Sequence, residues 1–210
     1  MISPKGASPI ASNSPEGLAL VLASESPRRK ALLASAGIVP DAIVPAHLDE
    51  SARQGETPRV YALRVATGKA HAVGAIWSER PALILAADTV VACGRRILPK
   101  AENGEEVRKC LELLSGRSHQ VITAVAIRKP DSRVISRIAV TRVSFARLSL
   151  QAIASYVESG EGLGKTGGYA IQGAAEAFVR QINGSYSNVV GLPLFHTLNL
   201  LKGCGYPIPW

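Results

Sequence analysis

The chain has 210 residues, 47% of them hydrophobic, and a formal charge of +8 with a pI near 9.7. That is enough for one sizeable domain whose partner is an anion: a nucleotide, a nucleic acid or a membrane surface. Excluded are a membrane-spanning run of eighteen apolar residues, a zinc site with paired ligand spacing among Cys93, Cys110, Cys204 and the four histidines, and, at 5% aromatic content, a base-stacking platform.

Residues 1–17, rich in Ser, Pro and Gly, are expected to form a flexible tail ahead of a domain covering 18–206. Leu18 to Ala23 is a short apolar run that predicts a buried strand. A helix should follow from Pro27 to Ala36, with Ser26 as N-cap and Gly37 as its stop. Ile43-Val44-Pro45 suggests a short strand leading into Leu48-Asp49-Glu50-Ser51. A second helix should start at Thr57-Pro58 and carry Val60, Leu63, Ala66, Ala70, Val73 and Trp77 at spacings of three or four. Leu83 to Val91 is apolar on both faces apart from Asp88-Thr89, as in a doubly covered central strand. A third helix, 105–115, has Asn103 as a candidate cap and Glu105 and Glu106 in its first turn. Strands are expected at 119–127 and 134–146, the second with a bulge between Val140 and Val143, where its alternation changes phase. Ser149 should cap a helix through Ser159, followed by a glycine-dense loop over 160–173, a strand at 177–182 and a last helix from Pro193 to Gly203. The pattern predicts an α/β domain of two lobes around a mixed, partly parallel twisted sheet, with flanking helices and a central cleft.

Three features carry chemistry. In "ASESPRRK", Arg28, Arg29 and Lys30 crowd the start of a helix, where the backbone is already positive. An anion docked on the free N–H groups would turn that clash to advantage, and Arg forks match phosphate; otherwise the side chains reach to solvent or to surface carboxylates. Asp88 interrupts an apolar strand, which fits a metal ligand or general base where open α/β sheets bind ligands, or a carboxylate satisfied by turn N–H groups. Asp49-Glu50 offers hard oxygen ligands for Mg²⁺, although exposed acidic pairs are common. The loop "GEGLGKTGGYAIQG" fails as a P-loop. Position 159 is serine where that pattern needs glycine, the loop follows a helix, and Thr166 is followed by two glycines. Its glycine density still implies a sharp turn or a close approach. Gln172 within it can donate and accept, as reading a base edge requires. Lys69 and Lys100 are, taken alone, solvated lysines.

"LASESPRRKALL", "LDE", "AADTVV", "LSGRSHQVITAVA", "GKTGGYAIQG" and "INGSYSNVVGLPL" occur in that order between Leu18 and Leu201. Together they resemble the Maf family of nucleoside triphosphate pyrophosphatases, also called septum-formation inhibitor proteins. The "SPRR", "DTVV" and "YAIQG" forms look like the dTTP/UTP-directed branch rather than the 7-methyl-GTP branch. Pro99-Lys100-Ala101 stands where the family usually has Gly-Lys-Pro, and "GGYAIQG" replaces "GAYGIQG". The resemblance implies a Maf/inosine-triphosphatase-like fold and hydrolysis of dTTP, UTP or related, including modified, nucleotides to the monophosphate and pyrophosphate. It also implies a house-cleaning or division-arrest role.

Carried over by position, the resemblance implies Asp88 as catalytic proton acceptor, with Glu50 and Asp88 near a divalent cation, Mg²⁺ or Mn²⁺. Ser24, Arg28 and Arg29 would hold the triphosphate, Lys69 and Lys100 would add positive charge, and Arg28, Thr89 and Gln172 match positions tied to substrate choice. The expected setting is the cytoplasm, with a nucleoside triphosphate as partner, no stable nucleic-acid or membrane contact, and a homodimer left open. The competing reading is a non-catalytic basic module that regulates division by binding nucleotide or nucleic acid. The +8 charge suits it; a carboxylate sunk in an apolar strand does not.

Overall fold

The computed structural model describes residues 17–208, so the tail expected over residues 1–17 lies, apart from Gly17, outside the described residues. Strand β1 (Ala19–Leu22) leads into helix α1 (Pro27–Ser35), strand β2 (Ala42–Ile43) and helix α2 (Pro58–Ile76). Strands β3 (Ala82–Cys93) and β4 (Arg96–Leu98), helix α3 (Gly104–Leu114) and the long pair β5 (Ser118–Arg128) and β6 (Val134–Phe145) follow. Helix α4 (Leu150–Glu158), a 3₁₀ helix (Ala174–Phe178), strand β7 (Val179–Asn183), helix α5 (Tyr186–Val190) and helix α6 (Leu194–Gly203) complete the order. One seven-stranded sheet runs β2-β1-β3-β5-β6-β7, with β4 also paired to β3. β1 is parallel to β2 and β3, and the remaining pairs are antiparallel. The expected mixed sheet with flanking helices is therefore present.

Local chemistry explains most boundaries. Thr57, Asn103 and Ser149 each accept a backbone N–H of the following turn, from Val60, Glu106 and Ala152. Glu106 reaches back from α3 to the N–H of Glu102, which closes the helix start on both sides. Ser26 differs: it stands at the N-cap in extended conformation, but its side chain makes no capping bond. Three short elements, β4, the 3₁₀ helix and α5, were not expected, and β7 begins two residues later than the sequence suggests. The expected bulge between Val140 and Val143 is absent. β6 pairs with β5 in unbroken register from Val134 to Ser144, and the register shift occurs against β7 between Ser144 and Phe145. The phase change reflects a switch of covering element along β6, since Val140 packs with the α2 layer and Val143 with the opposite one.

The sheet has two differently built faces. Leu20, Leu22, Leu83, Leu85, Val121 and Val125 join α1, α3, α4 and α6 in a core of large side chains. On the other face, Ala19, Val21, Ile84, Ala86 and Ala124 meet Ala62, Ala66, Ala70 and Val73 of α2. The alanines let α2 lie close to the sheet, and this fixes what the same helix stripe presents further along.

Candidate active site

The cavity forms where β3 loses its neighbour. β1 pairs with β3 only to Leu22↔Leu85, extended by the bond from Ala23 N to Leu85 O, and β4 pairs with it only from Val91. Between them the edge of β3 is open, and Asp88 sits at its centre. Asp88 lies in the interior of a twelve-residue strand, as its place within the apolar run implies, and beyond the carboxyl end of parallel β1. This is the crevice in which open α/β sheets receive ligands. A cavity of about 340 Å³ opens there, lined by the nine residues to which the family resemblance gives a role: Ser24, Arg28, Arg29, Glu50, Lys69, Asp88, Thr89, Lys100 and Gln172.

Asp88 belongs to the α2 face of the sheet, and Lys69 belongs to the alanine stripe of α2 that packs on it. The lysine, 9% exposed, donates to Asp88 Oδ1 at 2.8 Å and pairs with Glu50 Oε1 at 3.0 Å. It therefore stands between two carboxylates instead of projecting freely into the cavity. Burial pushes the Asp88 carboxyl above the ordinary aspartate range; Lys69 and then Arg29 pull it back, while Glu50 adds to the rise. The Asp49-Glu50 pair is split. Asp49 is exposed and accepts the Ser51 N–H at 2.8 Å, whereas Glu50 lines the cavity.

Arg28 and Arg29, adjacent in sequence, have different surroundings. Arg29 donates from Nε to Gly191 O (2.9 Å), from Nη1 to Ser24 Oγ (3.0 Å) and from Nη2 to Thr89 Oγ1 (3.3 Å). Its fork is built into the cavity wall, and Ser24 also accepts the Ser26 N–H. Arg28 makes no hydrogen bond or ion pair among the described residues while lining the same cavity, and burial lowers its pKa from the usual arginine range. Lys100 is exposed at the rim, and its segment is tied to the glycine loop by the bridge to Thr166 and by bonds between Ala101 and both Gly164 and Lys165. That loop is glycine-dense because it presses on its neighbours. Gly167 and Gly168 both have positive φ, and a Cβ at either would come within 2.9 Å of Val91 or Cys110.

Sequence reasoning missed three residues. Lys165 lines the cavity beside Arg28, with only a 3.4 Å contact to Leu163 O. Burial, and then Arg28, lower its pKa. Tyr61 donates to Glu50 O at 2.8 Å, and burial with Asp88 and Glu50 pushes its phenol up to about 12. Arg64 grips Glu56 and Ser51 O, anchoring the segment that carries Glu50 to α2. Only the GKTGG loop carried any signal, and its failed P-loop spacing drew attention away from the lysine.

The fold and cavity define an α/β protein whose cleft, at the carboxyl end of a parallel strand, has on one wall cations with no carboxylate partner among the described residues, and on its floor a lysine-bridged carboxylate pair. The chain belongs to the Maf family: the family described as "Maf-like protein" matches residues 19–204. The dTTP/UTP pyrophosphatase of Maricaulis maris (strain MCS10) is 55% identical over 90% of this chain and 89% of that protein. The Caulobacter vibrioides protein of the same name is 54% identical over 90% and 97%. The one from Rhodospirillum rubrum is 58% identical over 89% and 88%. Among solved structures, a HAM1 protein from Coxiella burnetii aligns with 62% of this chain and 74% of that one, at 19% identity and a TM-score of 0.41.

Proposed function

We propose that this protein hydrolyses dTTP and UTP to the monophosphate and pyrophosphate, as the names of its relatives state for them. The observation that carries the reading is the facing arrangement within one cavity: Asp88 on the floor, and around it Arg28, Lys100 and Lys165, which have no carboxylate partner among the described residues. Asp88 takes a proton from the water that attacks the α phosphorus; its raised pKa brings it nearer to neutral and makes it a stronger base than an ordinary aspartate. Lys69 keeps that carboxylate ionised and aims it. Arg28, Lys100 and Lys165 balance the charge that develops on the departing pyrophosphate. Arg29 holds Ser24 and Thr89 in place.

Glu50 and Asp88 also fit a divalent cation. They are hard oxygen donors on one cavity, and Mg²⁺ is commonly held by one or two carboxylates with water and substrate phosphates. Among the described residues no cluster of three His, Cys, Asp or Glu forms a cage that could hold the ion without substrate. When bound, Mg²⁺ or Mn²⁺ would neutralise charge on the phosphate oxygens.

The base belongs on the other side of β3, where Thr89, Val91, Tyr169, Ile171 and Gln172 make a mainly apolar wall with an amide at its edge. A non-catalytic regulator has no use for the lysine-bridged carboxylates, and the relatives carry enzyme names. Among the described residues no helix is long and apolar enough to cross a membrane. The three cysteines are free, in keeping with a reducing, cytoplasmic setting. The test is chromatographic analysis of products from UTP, dTTP, CTP and purine triphosphates with Mg²⁺ or Mn²⁺. UMP and pyrophosphate are expected from UTP; UDP with inorganic phosphate, or no product from any nucleotide, would overturn the proposal.

A further inference from the structure

Thr89 turns its hydroxyl to the apolar side of the cavity, where its polarity decides what it can recognise. Three protein groups surround Thr89 Oγ1: Arg29 Nη2 at 3.3 Å, Thr123 Oγ1 at 3.0 Å and Gly191 O at 3.4 Å. A hydroxyl has one proton to give and two lone pairs to receive with. Arg29 can only donate, so it takes one lone pair. Gly191 O is the more distant acceptor and already receives Arg29 Nε at 2.9 Å. The direction of the remaining bond is set from behind. Thr123 is fully buried, and its own proton goes to the main-chain oxygen of Asn188 at 3.2 Å, which receives no other bond among the described residues. A buried carbonyl left without a donor is costly, so that proton is committed. Asn188, also fully buried, is held by its Nδ2 donating to Val121 O at 3.0 Å and to Thr141 Oγ1 at 2.9 Å. Thr123 must therefore accept from Thr89. The protons run in one direction, from Thr89 to Thr123 to Asn188 O, and only a lone pair of Thr89 is left for the cavity.

The geometry points to Thr123, which does not itself line the cavity, as a positioning residue that makes Thr89 an acceptor and so selects a nucleoside offering a hydrogen-bond donor there. The inference rests on the pyrophosphatase reading above and specifies its substrate. An acceptor facing the cavity repels phosphate oxygens and receives an N–H or O–H. Nucleotide donors are the ring imide N–H of uracil or thymine, the ring N–H of guanine, the exocyclic amino groups of cytosine, adenine and guanine, and the ribose hydroxyls; among the pyrimidines the imide N–H is the ring donor that cytosine lacks. The apolar wall around Thr89 favours the base. Cytosine carries a lone pair at the same ring position and meets Thr89 acceptor to acceptor.

The test is Thr123→Val, which keeps the shape and removes the hydroxyl, compared with Thr123→Ser, which restores it. In Thr123→Val the Thr89 proton is free to turn toward the cavity. The ratio of kcat/KM for UTP over CTP should fall by about tenfold, and Thr123→Ser should recover it. A purely structural role lowers both nucleotides together, and an unchanged ratio in an active Thr123→Val enzyme overturns the inference while leaving the pyrophosphatase reading intact. Comparison of UTP with 2′-deoxyUTP separates the sources. If Thr123→Val alters that ratio and not UTP over CTP, the donor is the sugar hydroxyl and the base assignment is overturned. Should the buried substitution prevent folding, calorimetry on the unaltered protein decides: UMP should bind about tenfold more tightly than CMP, and equal affinities would overturn the inference. That binding comparison stands even if no triphosphate is cleaved, an outcome that would overturn the reading of the activity.

Discussion

Asp88 and Thr89 are neighbours on one strand, yet they serve opposite halves of the cavity. The Asp88 side is lined with charge and packs against α2 through alanines. The Thr89 side is backed by large apolar groups and buried hydroxyls, and its hydrogen bonds run from Arg29 to Thr89 and on through Thr123. Because successive strand residues point to opposite faces, a strand with an open edge can place a reacting carboxylate and a recognition hydroxyl side by side in one pocket. The difference teaches that the cavity's acidic groups gather on one face of β3. The other face presents hydroxyls bonded in series, with the Arg29 guanidinium built into the same wall.

Asp88→Asn should break the charged side most completely, lowering kcat by about a thousandfold with little change in KM. Steady-state turnover of UTP measures it, and wild-type turnover would remove Asp88 from its role. Lys69→Met leaves Asp88 and Glu50 facing each other without their shared cation. A loss of about a hundredfold in kcat/KM is expected, with a change in pH dependence. The sign follows from the raised pKa. A base must be ionised, so kcat/KM falls as pH drops through a pKa above the ordinary aspartate value. Without Lys69, the largest influence pulling that pKa down, the acid limb should move to higher pH.

Arg28→Ala sharpens the contrast between the two arginines. It should raise KM for UTP roughly tenfold and leave the melting temperature within a degree or two, since the side chain has no hydrogen-bond or ion-pair partner among the described residues. Arg29→Ala should lower the melting temperature as well, because three hydrogen bonds go with it.

The apolar side should yield first to acid. His119, buried behind Tyr169 with Nε2 at 2.8 Å from its hydroxyl, has its pKa pushed down to about 4 by burial. A lowered histidine pKa means that stability is full above the unfolded value and is lost as pH falls toward 4. The contribution is at most about 3 kcal/mol. Urea melts between pH 7 and pH 4.5 should show the loss, and His119→Phe should flatten it.

Much of this could be read from the chain where signals are local. Thr57, Asn103 and Ser149 announced their helices because a cap works through the next few residues. Asp88 stood out because a carboxylate inside an apolar run needs a reason. Its partner was harder to see. Lys69 falls in the stripe with Ala62, Ala66 and Val73, a position that marks it as facing the sheet, but only the register of α2 on β3 brings it to Asp88. The two arginines could not be told apart, because the residue that claims Arg29, Gly191, is 162 positions away. Helix α5 is five residues long, too short for a periodic signal, although it positions both Asn188 and the backbone that holds Arg29.

The central claim, one strand edge dividing reaction from recognition, is tested most directly by a crystal structure with Mg²⁺ and the α,β-imido analogue of UTP. The phosphates should lie on the Asp88 side within reach of Arg28 and Lys100, with the uracil against Thr89 and Gln172. Uracil on the Asp88 side, or phosphates against Thr89, would contradict it.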